Sequence, residues 1–76
     1  MSNKAKILLN YLQSEYQNRI ESNKNITDDS ARMFDVNELC DKYNIDRSLM
    51  DKLTSELKQY GYIKKLIIGT IVLERD

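Results

Sequence analysis

The chain contains no histidine and a single cysteine, Cys40. Without histidine, the usual base for a serine or cysteine nucleophile is missing, and so is the commonest zinc ligand. Cys40 falls at a core-facing helical position, where packing is expected of it rather than catalysis. Asp28 and Asp29 sit in a stretch rich in Asn, Asp and Ser and read as capping or solvated loop carboxylates, not as a cation site. Both glycines, Gly61 and Gly69, are required by a helix end and a turn, which leaves no loop to cradle phosphates. Non-covalent chemistry remains. From residue 47 onward, Arg47, Ser48, Lys52, Ser55, Lys58, Lys64 and Lys65 gather donors suited to phosphates and base edges, with Asp51 and Gln59 among them. No catalytic residue, metal, cofactor or small-molecule substrate is expected.

Composition bounds the elements that must carry these side chains. A chain of 76 residues is one domain, 1–76. It buries only about 60% of the surface its unfolded form exposes, which leaves little room for a closed active-site cavity. Hydrophobic residues at 41% and charged residues at 32% make a globular composition rather than a disordered one. No apolar run approaches the roughly 20 residues that span a bilayer, and the N-terminus lacks the apolar core of a secretory signal. With one cysteine that cannot pair internally, the expected setting is the reducing cytoplasm. Net charge is zero but unevenly spread: residues 23–46 hold 3 cations against 6 carboxylates, and residues 47–76 hold 6 against 4.

Periodicity supplies the elements. Ala5, Leu8, Leu9, Leu12, Tyr16 and Ile20 recur at spacings of three and four, predicting a helix over 3–21 capped by Ser2 or Asn3, with Ile7 and Tyr11 widening the apolar stripe. Residues 22–30 read as loop, and residues 31–34 as a very short strand. Asp35 and Glu38 form a capping box that opens a second helix ending near Tyr43, with Asn44 as a left-handed terminator. Asp46 caps a third helix, residues 47–60, whose inner face is Leu49, Met50, Leu53, Leu57 and Tyr60. Gly61 ends it. The tyrosines Tyr11, Tyr16, Tyr43, Tyr60 and Tyr62 are placed mostly at core-facing positions. Two β-rich runs, 62–68 and 70–74, then predict a hairpin about a Gly69-Thr70 type II′ turn. That turn sets Ile68 opposite Ile71, Leu66 opposite Leu73 and Lys65 opposite Glu74. Alternation then gathers Leu66, Ile68, Ile71 and Leu73 on one face, which is more apolar surface than one core needs. This face is expected to be covered by the first helix or by a second copy in a homodimer.

The run Glu38-Leu39-Cys40-Asp41-Lys42-Tyr43-Asn44-Ile45-Asp46-Arg47-Ser48-Leu49-Met50 resembles a helix-turn-helix core. Leu57-Lys58-Gln59-Tyr60-Gly61-Tyr62-Ile63 resembles the passage from recognition helix to wing. Over residues 35–74 the chain is similar to winged-helix DNA-binding domains of small bacterial, phage or mobile-element type, an α+β class of three helices followed by a β-hairpin. The resemblance implies a non-enzymatic regulator, its third helix in a DNA major groove through Arg47, Ser48, Lys52 and Ser55, and Lys58, Lys64 and Lys65 on phosphates. Asp51 in the middle of that face and the apolar hairpin tip depart from the pattern. They keep open a second expectation, a protein-docking or single-strand-binding accessory module.

Overall fold

The computed structural model describes residues 1–67 and 69–75, so Ile68 and Asp76 lie outside the description that follows. Helix α1 (Asn3–Ser22) starts where Ser2 Oγ accepts the Ala5 amide at 3.2 Å. It buries Ala5, Leu8, Leu9 and Leu12, the stripe its spacing predicted, and leaves Tyr16 and Ile20 half-buried. Ile7 and Tyr11 do not widen that stripe: both are exposed, and the Tyr11 ring lies flat on Tyr43 at 4.4 Å between centroids.

The expected loop contains a four-residue helix, α2 (Asp28–Ala31). Thr27 Oγ1 accepts the Ser30 amide at 3.1 Å, and two carboxylates in the first turn suit the positive end of the helix dipole. An element of one turn has no periodicity to detect. It also takes Ala31 out of the expected strand, which shifts to β1 (Met33–Asp35).

Asp35 Oδ1 then accepts the Glu38 amide at 3.0 Å and opens α3 (Val36–Tyr43). Asn44 closes it in the left-handed region, at φ 52°. Three residues later α4 (Arg47–Gln59) begins, with the Asp46 carboxylate on the Ser48 amide at 3.0 Å. Gly61 adopts φ +81°; its amide bonds to the Lys58 carbonyl at 3.0 Å, and the next amide, of Tyr62, reaches Leu57 at 2.9 Å. That pair of bonds is a Schellman ending, and it turns the chain into β2 (Ile63–Lys65) and β3 (Thr70–Leu73). Tyr60 caps the helix on the outside rather than packing inside, and Tyr62 is exposed as well.

The three strands form one antiparallel sheet in the order β1-β3-β2. The hairpin register differs from the sequence reading by three positions. Ile63 faces Leu73, Lys64 faces Val72, and Lys65 faces Ile71. The Thr70 amide bonds to the Ile67 carbonyl at 3.0 Å with Gly69 at φ +86°, so glycine occupies the second central position of the turn, not the first. An odd shift exchanges the faces. Ile71 and Leu73, expected on a surface available to a partner, are 1% and 4% exposed core residues alongside Ile63. Among the described residues assigned to that face, Leu66 is the exposed one; Ile68 lies outside the described residues. The charge pair expected between Lys65 and Glu74 falls to Lys64 and Glu74, at 3.5 Å.

The core joins the α1 stripe to Phe34, Val36, Leu39, Met50, Leu53, Leu57 and the inward residues of the sheet. Helix α1 packs on α4, α4 on β2, and α3 on both α4 and β1. Thr54 is also fully buried; its hydroxyl turns back to the Asp51 carbonyl at 3.2 Å, which satisfies it inside the helix. No helix among the described residues is long and apolar enough to cross a membrane.

Candidate nucleic-acid interface

Helix α4 presents a polar ridge because its apolar residues are confined to one side. Met50, Leu53, Thr54 and Leu57 are buried. At about 100° per residue, the opposite line is Ser48, Lys52, Ser55 and Gln59, and all four are exposed. Arg47, Asp51 and Lys58 flank this ridge on one side, and Glu56 flanks it on the other. Glu56 is occupied by the chain's start: Ser2 donates to it through both its amide and its hydroxyl, the latter at 2.8 Å, and these bonds hold its pKa below the ordinary value.

The hairpin meets the ridge on the Arg47 side. Lys65 lies on the sheet face that looks toward α4, and its Nζ donates to Ser55 Oγ at 2.9 Å. Between them runs an open groove of about 450 Å³ lined by Val36, Arg47, Asp51, Thr54, Lys65, Leu66, Ile67, Gly69, Thr70 and Ile71. A helix flank and a hairpin tip therefore share one concave surface.

The cations do not form a single stripe. Arg47 is tied to Asp51, Nε to Oδ1 at 3.0 Å, and to Asn37, Nη1 to Oδ1 at 2.7 Å. Asp51 thus works against a neighbouring arginine rather than standing alone in the ridge. Lys52 and Lys58 are exposed on α4. Lys64 is set apart: alternation turns it to the far face of the sheet, beside Val72 and Met33 and paired with Glu74. The seven residues singled out from the sequence thus divide into six on or beside α4 and one on the reverse of the sheet. Asn37 was not anticipated. Its only sequence signal is a position near the start of α3, and the corner between α3 and α4 is what brings it to Arg47.

Two further groups lie outside the groove. Cys40 is half-buried, and burial pushes its thiol pKa up, which keeps it protonated and unreactive at neutral pH. Asp28 accepts from the Tyr16 hydroxyl and from Arg32 Nε at 2.8 Å, and Arg75 reaches it at 2.7 Å. Among the described residues no three Cys, His, Asp or Glu side chains converge as a metal site. No protein-family model, curated protein or solved structure matches this chain.

Proposed function

We propose that the chain is a winged-helix domain that binds duplex DNA, with α4 entering the major groove and the β2–β3 hairpin lying beside it as the wing. It would act as a small regulator of transcription or of a mobile element. The order long helix, one-turn helix, strand, helix, corner, helix, hairpin, with β3 between β1 and β2, supports the fold reading. The observation that carries the function is the contact of Lys65 with Ser55, which puts a hairpin cation on the outward face of α4. Groove-reading helices need backbone contacts from a second element to fix their register on the duplex, and a hairpin cation beside α4 would suit that role. Zero net charge makes phosphate attraction weak, so affinity must come from a few local cations rather than from the whole molecule's field.

Fluorescence anisotropy with a random-sequence duplex at low salt tests this reading. Binding is expected to weaken linearly on a log–log plot as salt rises, at about 0.9 per phosphate neutralised. Replacing Lys52, Lys58 or Lys65 by alanine is expected to lower that slope by about one each, and replacing Lys64 to change it less. Absence of duplex binding at low salt would contradict the proposal and favour a second reading, docking of a protein partner. That reading is supported by Leu66 and Ile67, 55% and 76% exposed at the hairpin tip, where a phosphate-contacting wing carries polar or basic residues.

A further inference from the structure

The corner between α3 and α4 holds one guanidinium in place before any ligand arrives. Arg47, the first residue of α4, donates from Nε to Asp51 one turn ahead of it and from Nη1 to Asn37 on α3. A guanidinium has five N–H donors. These two bonds use one on Nε and one on Nη1, and the side chain is 44% exposed. Arg47 lines the same open groove as Lys65.

This arrangement suits one task better than another. An arginine keeps its charge when it pairs with a carboxylate, but the pair as a whole is nearly neutral and releases few counterions, so it contributes little to phosphate binding. Its free donors still match the O6 and N7 acceptors of guanine, the commonest specific arginine contact in a major groove. Fixing the side chain beforehand removes the rotamer entropy that a free arginine loses on binding. The N-terminal residues of a recognition helix are also the ones that approach base edges. Resting on the duplex-binding reading above, we propose that Arg47 reads a guanine and that Asp51 and Asn37 are its positioning residues. Asp51 then belongs beside the ridge because it aims the arginine.

Selection of duplexes from a random library, followed by sequencing, tests this on the full chain and on Arg47→Lys, Asp51→Asn and Glu21→Gln, each first checked for native helicity by circular dichroism. The wild-type chain should select a motif with a fixed guanine. Arg47→Lys keeps the charge but not the fork, and should lower preference for that guanine by about 5- to 150-fold. Asp51→Asn should also lower it while steepening the salt slope by about one, because it frees the arginine's charge. Glu21→Gln adds the same charge on the far end of α1 and should leave the guanine preference alone. An effect of Asp51 through overall charge alone would not separate these two variants. An unchanged motif in Arg47→Lys, or a wild-type chain that binds duplex with no sequence preference, would overturn the inference and leave duplex binding standing. A wild-type chain that binds no duplex would overturn both.

Discussion

At the scale of single residues, Asp28 sits at the centre of a cluster of charged and aromatic side chains. The Tyr16 hydroxyl and the Arg32 guanidinium donate to it, and these bonds hold its pKa at about 2, below the ordinary 3.8. Arg32 also lies over the Tyr16 ring at 4.4 Å and donates to the carbonyls of Leu73 and Glu74 at 3.4 and 3.1 Å. One acidic residue in a one-turn helix thus ties α1 to the end of β3. Because its pKa is lowered on folding, its stabilising effect is complete above the unfolded value near 4 and is lost as pH falls through about 2. Urea unfolding at a series of pH values should show Asp28→Asn less stable than wild type at pH 6, with the gap closing between pH 4 and pH 2. A gap that persists unchanged to pH 2 would show that the carboxylate charge is not what matters there.

At the scale of elements, the backbone carries information that side-chain patterning does not. Gly61 holds φ +81° so that the amides of Gly61 and Tyr62 can close α4, and a Cβ there would meet no neighbouring atom. Gly61→Ala should therefore cost about 1–2 kcal/mol through backbone strain alone, lowering the thermal midpoint by several degrees; Gly61→Asn should cost less. A melting curve unchanged by alanine would mean that this ending can relax without glycine. The long helices were legible because their apolar residues repeat every three or four positions and their ends are marked by single recognisable residues: Ser2, Asp35, Asp46, Gly61. The hairpin register was not. Glycine satisfies a turn at either central position, and the choice was made by burial: the observed frame sends Ile63, Ile71 and Leu73 inward against Phe34 and Leu57, while β3 also pairs with β1 from the middle of the sheet. That second pairing spans about half the chain and leaves no local trace. The site was legible in its residue types but not in its connections. Arg47 and Asp51, four apart on one helix, could have been read as a pair, whereas Asn37 and the turning away of Lys64 follow from tertiary placement.

At the scale of the whole molecule, one small core supports an exposed polar ridge. At about 0.05–0.15 kcal/mol per residue, a domain of this length has roughly 4–11 kcal/mol of stability in total. Truncating Leu57 of α4, fully buried in the core, to alanine should cost about 2–5 kcal/mol. The urea midpoint should fall steeply at an unchanged slope. The ridge itself contributes little to that core, since Ser48, Lys52, Ser55 and Gln59 are all exposed. It is therefore free to be shaped by whatever it touches. Titration of ¹⁵N-labelled protein with a duplex, followed by amide chemical shifts, examines that ridge residue by residue. Shifts concentrated on residues 47–59 and 63–70, with α1 and α2 quiet, are the result expected of α4 and the hairpin acting together on DNA. Shifts centred on α1, or none at saturating duplex and low salt, would contradict it.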